Sequence, residues 1–340
     1  MGQYPTARTY CSDKSTRLWP RYAGSTGGGA MMRRWTRRRL QRLAIGGLTA
    51  ALAVAAAGDD GGGGRLSPDR LRWRELHFHA HKLIFTAEVR VRAELVAAAT
   101  TAAELAVVEG HAGVPPGGEQ VVRLELESSL LGRHSSNTAL LEPDTAAALQ
   151  SASRESGRRA RFKLQRFTGD GLAITRGRPA EGEEKLPEVR WSKRSFEFRL
   201  FAPVERDAAP VSDSLALFWV LATAPLERPG DAWRLHLVSD GRLLGVTVKA
   251  VSKVQRTLDF DERRGAVKRH VEATIRALEL TIDAAPVDPA DAGGDLEFLG
   301  MKGSVRIVLD PERRVPLEVS GRVPGAGTVI VRLHGVTLRE

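Results

Sequence analysis

Three histidines in alternate positions are the residues of this sequence that come closest to a metal-binding pattern. His77, His79 and His81 lie in the segment LHFHAH, and alternate side chains of a β-strand project from one face. Two histidines at this spacing, with a further ligand from elsewhere, can bind one metal ion. The three together span too far for a single tetrahedral ion, and no acidic triad nearby completes the set. We favour a solvated or groove-lining polar face, and keep His77 and His79 as candidate metal ligands of a metal-assisted hydrolase as the alternative.

A second polar group, formed by His134, Ser135, Ser136 and Asp144, has neither a G-x-S-x-G motif nor a spacing that indicates a nucleophile. The segment DPERR, residues 310–314, fits a hairpin turn better than a recognition loop. The sequence therefore assigns no catalytic residue, and we expect no cofactor.

One segment has helical spacing. Ser212 or Asp213 can cap a helix over SLALFWVLAT, and a proline follows it. This helix is apolar on nearly all sides, so it should be buried. Leu215, Phe218 and Trp219 would then either line a cavity for an apolar ligand or pack in the core, and the sequence leaves both interpretations open.

Two-residue alternation of polar and apolar residues dominates the rest of the chain, and it is clearest between residues 233 and 338. The connections there are short, which is typical of antiparallel neighbours. We predict a mainly β fold: a curved antiparallel sheet or barrel-like shell with one buried helix, in a single β-rich domain over residues 71–340.

Three local predictions accompany this fold. Residues 143–150 are predicted to form a short helix, because a proline in the first turn precedes helix-favouring residues. Val107 and Val108 are predicted to lie in a strand. Residues 267–282 match a helix template as well as a strand, and we predict a strand because the neighbouring segments can pair with it.

The N-terminal part of the chain has a different composition. Residues 31–57 begin with clustered arginines and continue with a short apolar run that ends in small residues, which is typical of an export signal. Export signals lie at the true N-terminus, so the upstream residues 1–30 indicate a mis-called start or disorder. Residues 58–70 form a Gly/Asp-rich linker. We predict signal removal, by a twin-arginine or an ordinary secretory route, and a periplasmic or secreted chain without a stable membrane anchor.

Charge and cysteine usage exclude several classes of function. The chain has a net charge of +10, but residues 1–57 contain ten of its 51 basic residues and one of its 41 acidic residues, which leaves 41 basic and 40 acidic. A near-neutral remainder does not predict nucleic-acid binding. The single cysteine is Cys11, so the chain after the predicted signal has no disulfide framework and no thiolate chemistry.

Two segments resemble a known family. Residues 213–231, DSLALFWVLATAPLERPGD, and residues 305–333, VRIVLDPERRVPLEVSGRVPGAGTVIVRL, resemble the bacterial exported family catalogued as domain of unknown function 3108. The resemblance is strongest over residues 213–333 and looser over residues 75–201. Ala222 stands where the family often has arginine, and Val308 where it has serine. The resemblance implies an exported β-rich fold, similar in outline to lipoprotein-carrier half-barrels, and it brings no catalytic residues.

The leading hypothesis is therefore a non-enzymatic cell-envelope protein that binds or carries a hydrophobic ligand, such as a lipid or an acyl chain. The first alternative is a structural or interaction module that binds another envelope protein through a sheet edge or patch. The second alternative is the metal-assisted hydrolase with the His77 and His79 face.

Overall fold

Strands account for 62% of the residues that the structure describes, as the two-residue alternation predicts. This computed structural model describes residues 65–82, 85–130, 133–157, 160–201, 209–288 and 295–340. These residues fall in one unit, Ala56–Glu340, and the other unit, Met1–Ala55, contains none of them. The predicted export signal, the upstream start and Cys11 lie outside the described residues.

The first half of the sheet is a series in which each strand pairs antiparallel with the next strand of the chain. The strands are β1 (Trp73–Lys82), β2 (Phe85–Ala97), β3 (Gln120–Leu130), β4 (Arg133–Leu141), β5 (Ala148–Glu155), β6 (Arg161–Phe167), β7 (Gly171–Arg178) and β8 (Lys193–Leu200). A helix, α1 (Ala98–Ala102), follows β2. Short 3-10 helices lie at Pro68–Arg70 and Glu188–Arg190.

Among the described residues, the second half contains one helix and eight further strands. They are β9 (Val211–Ser212), α2 (Ala216–Thr223), β10 (Ala232–Ser239), β11 (Arg242–Arg264), β12 (Val267–Pro286), β13 (Glu297–Phe298), β14 (Met301–Asp310), β15 (Val315–Val323) and β16 (Gly327–Leu338). Most neighbours are again antiparallel, whereas β9 runs parallel to β10.

The last strand joins the two halves into one large curved sheet. β16 pairs with β15 on one side and with β1 on the other, so the order runs from β8 through β1 and β16 to β9. β16 also pairs in parallel with the end of β11, which completes a circuit through β11, β12, β14, β15 and β16. The predicted mainly β, antiparallel fold is confirmed, and the barrel-like shell stays a prediction.

Helix α2 lies in the core, and every one of its residues is buried. The guanidinium of Arg314, in the turn after β14, donates hydrogen bonds to the carbonyl oxygens of Ala222 (3.1 Å), Leu226 (2.8 Å) and Ala224. These carbonyl groups lie at the end of the helix and just beyond it, where no N–H group of the helix is available to donate to them. The turn predicted for DPERR therefore also caps the buried helix.

Two of the three local predictions are wrong, and the third is confirmed. Residues 143–150 are not a helix: a turn places Ala146 at φ +65°, and β5 then pairs with β4, which outweighs the high helix propensity of the alanines. Val107 and Val108 lie outside the strands, and the Val107 side chain is 97% exposed. Residues 267–282 do form a strand, as predicted, because they pair along β11.

Candidate functional site

A groove of about 960 Å³ lies over one face of β1 to β5, with the segment between β7 and β8 as a further wall. His77 and His79 line it from β1. The residues between and beside them, Leu76, Phe78 and Ala80, are buried in the core. The two-residue period of the strand thus separates a core face from a polar groove face. The side chain of His81 lies outside the described part of the structure.

The sheet register aligns polar side chains of five strands across the groove. Side chains directly opposite each other on neighbouring strands share a face and interact. The first row consists of His79, Glu88, Ser129 and His134, and the second of His77, Arg90, Glu127, Ser136 and Arg154. All nine residues line the groove.

Ion pairs hold much of this surface in place. The Glu75 carboxylate accepts a hydrogen bond from Arg92 Nε at 2.5 Å and another from His77. Burial raises the pKa of Glu75, but these two hydrogen bonds outweigh it and leave the pKa below its usual value. Arg90 lies 3.7 Å from Glu75 and 3.9 Å from Glu127. Because the Glu75 cluster spans β1 and β2, it orients His77 at the base of the groove.

The groove carries an excess of negative charge. Its lining includes five glutamates and two arginines. Arg154 pairs with Glu188 at 3.1 Å, and Glu155 pairs with an arginine outside the lining. Among the described residues, Glu88 and Glu184 have no ion-pair or hydrogen-bond partner, so their charges are available to a ligand.

The geometry around the two candidate metal ligands favours structural contacts. His77 Nε2 contacts Glu75, and the His79 ring stacks on His334 with 4.1 Å between centroids. In the described part of the chain, no three His, Cys, Asp or Glu side chains are arranged to hold one metal ion. The metal role of His77 and His79 stays a prediction without geometric support.

The three candidate ligand residues of the helix lie in the core. Leu215, Phe218 and Trp219 are 6%, 1% and 0% exposed, and they line neither this groove nor the second cavity described below. The Phe218 ring lies 6.2 Å from Phe78 and 5.1 Å from Phe298, centroid to centroid. Their packing matches the core interpretation, and a ligand-binding role for them stays a prediction.

A second cavity, of about 250 Å³, lies beside Arg166 of β6. This arginine is 5% exposed and donates to the carbonyl oxygens of Leu149 (2.5 Å) and Val114 (2.8 Å). A Cβ atom at Gly113 would lie 2.6 Å from its Cζ, so a larger residue at this position would displace the guanidinium. The buried Nε atom has no partner among the described residues, and burial lowers the pKa of Arg166. We interpret Arg166 as an anchor for the segment after α1.

Sequence reasoning identified His77 and His79 in the groove but missed the glutamates that set its charge. Glu88 lies two residues before Arg90 in an alternating stretch, and this period predicts that both lie on one face. Their position opposite His79 and His77 depends on the sheet register, which local periodicity does not determine.

Comparisons of the chain with protein-family models, with curated proteins and with solved structures found no match. The resemblance to domain of unknown function 3108, and the lipoprotein-carrier outline that it implies, therefore stay predictions. Within the described part of the chain, none of the helices has the length and apolar character needed to cross a membrane.

Proposed function

We propose that this protein is a non-enzymatic binding protein of the cell envelope, and that its ligand is an amphipathic molecule with a positively charged amino group. The observation that carries the proposal is the groove over β1 to β5, where Glu88 and Glu184 have no partner among the described residues. The periplasmic or secreted location belongs to the proposal and rests on the arginine-rich, then apolar, composition of residues 31–57.

The size and chemistry of the groove support this ligand class. Ligand sites of drug-sized molecules have volumes of roughly 300 to 1,000 Å³ and combine apolar walls with a few polar groups. Here Leu186 and Trp191 contribute apolar surface, while the serines of β3 and β4 contribute hydroxyl groups. An ammonium group would gain the attraction of the unpaired carboxylates, whereas a carboxylate head would be repelled.

Calorimetric titration of the full chain with decylamine and with decanoate tests this proposal, because the two probes share a chain and differ in the charge of the head. We expect decylamine to bind and decanoate to bind at least about tenfold more weakly. Glu88→Gln and Glu184→Gln should each weaken decylamine binding about fivefold, as expected for a partly exposed charge pair.

Glu272→Gln is the matched control, since it removes the same charge from an exposed position of β12 outside the groove. It should leave decylamine binding unchanged. Three outcomes would refute the proposed ligand class. They are equal binding of the two probes, binding of neither probe, and an equal effect of all three variants on decylamine binding.

A further inference from the structure

The edge of the sheet at β8 exposes an unusual concentration of apolar side chains. β8 pairs with β7 on one side, and no described strand pairs with its other side. Phe196 and Leu200 of this strand are 59% and 72% exposed, and Val189 just before it is 74% exposed. Unpaired edges with exposed apolar residues are sites at which sheets add another strand.

The backbone of β8 presents hydrogen-bonding groups to this open side at alternate residues. Phe201 donates its N–H to the carbonyl oxygen of Asp170, so its backbone groups point towards β7. In a strand, the N–H and C=O groups of one residue point to the same side, and those of the next residue point to the opposite side. The register of β8 with β7 has no irregularity, so this alternation holds along β8. The backbone groups of Phe196, Phe198 and Leu200 therefore point outwards.

The side chains of β8 are complementary to a second, antiparallel copy of the same strand. If Phe198 lies opposite its own copy, Phe196 lies opposite Leu200, and Glu197 lies opposite Arg199. Apolar residues then meet apolar residues on one face, and opposite charges meet on the other. In this register the outward-pointing residues also face one another, so their backbone groups can form hydrogen bonds in both directions.

We propose that two copies of this chain associate through β8, in an antiparallel pair centred on Phe198 that continues the sheet from one copy into the other. A two-fold axis at Phe198 makes the contact isologous, which gives a closed dimer. The contact involves one short strand from each copy and is smaller than a standard interface, so we expect a dissociation constant of about 1 to 100 μM. The proposal does not depend on the groove or its ligand.

Cysteine cross-linking of the full chain, in a Cys11→Ser background, tests the register. Phe198→Cys should form a disulfide-linked dimer on mild oxidation, because directly opposite Cα atoms would lie about 5.5 Å apart, within the range for a disulfide. Phe196→Cys is the control: its two copies would be offset by four residues, or about 14 Å, and should not link. Equal cross-linking of both variants would overturn the proposed register.

A second measurement tests the surface without cysteines. Light scattering with size exclusion, over a concentration series, should show a monomer–dimer equilibrium. The double variant Phe196→Lys, Leu200→Lys should raise the dissociation constant at least about tenfold, because four apolar side chains per dimer are replaced by charges of one sign. Val267→Lys, at a 66% exposed valine in the β11–β12 turn region, should leave it unchanged. A monomer at all concentrations, or a dimer indifferent to the two lysines, would overturn the proposal.

Discussion

At the scale of single residues, buried side chains from distant parts of the chain hold α2 in the core. Trp219 Nε1 donates to the Pro143 carbonyl oxygen at 2.9 Å, and Trp73 Nε1 donates to that of Arg314 at 3.1 Å. Burial lowers the pKa of Arg314 to about 10, so its guanidinium remains charged at neutral pH. A charged donor makes stronger hydrogen bonds to carbonyl groups than a neutral one. The helix is therefore held by polar contacts as well as by apolar packing.

The Phe218→Ala variant distinguishes a core residue from a ligand-lining residue. Phe218 is 1% exposed and packs between Phe78 and Phe298, so its truncation should leave a cavity and lower the free energy of unfolding by about 3 to 5 kcal/mol. Urea unfolding of dilute protein measures this loss, with Phe196→Ala at an exposed site as a control that should cost well under half as much. Unchanged stability together with weaker ligand binding would favour the ligand-lining role.

At the scale of elements, the long β11–β12 hairpin depends on a buried carboxylate near its tip. Glu262 is 3% exposed and accepts hydrogen bonds from Arg269 and Arg313, both at 2.8 Å. Arg313 also donates to Asp310 at 3.0 Å, so the cluster joins the hairpin to the turn after β14. A bulge between Ala250 and Ser252 interrupts the register of β11 with β12.

The Glu262 cluster should make stability depend on pH. Burial raises the pKa of Glu262, but the hydrogen bonds from Arg313 and Arg269 outweigh it and lower the pKa below 4.5. A lowered pKa gives stability that is present above the unfolded-state value and is lost as the pH falls through the folded-state value. We expect Glu262→Gln to cost about 2 to 3 kcal/mol at pH 7 and much less at pH 3.

Urea unfolding at the two pH values measures this difference. Glu272→Gln, at an exposed position of the same hairpin, is the control and should have a small effect at both. A cost of Glu262→Gln that does not shrink in acid would contradict the ionic role.

At the scale of the whole molecule, β16 holds the sheet together because it pairs with β1, β15 and β11. A break in this strand would separate the half that carries the groove from the half that carries the long hairpin. The edge strands β8 and β9 have no such role, since each is paired on one side among the described residues.

Two leucine-to-proline variants compare the central strand with the edge. Leu333→Pro places a proline inside the central strand β16, at the residue that pairs with Phe78 of β1, so it should cost at least about 3 kcal/mol and prevent stable folding. Leu200→Pro removes a donor that points away from β7, so the chain should fold and the β8 dimer should weaken. Circular dichroism during heating measures the folding and the melting temperature of both variants. A folded Leu333→Pro variant with an ordinary melting temperature would contradict the central role of β16.

The sequence by itself determined the mainly β class, the buried helix and the sites of the turns, because these follow from local periodicity and from glycine, proline and aspartate at turns. It also indicated that His77 and His79 share a polar face. Only the tertiary structure decided that β16 lies between β1 and β15, that residues 148–155 form a strand, and that glutamates of neighbouring strands meet those histidines. Local periodicity orients a side chain to one face, whereas its neighbours across the sheet come from pairing between residues as distant as His79 and Arg332.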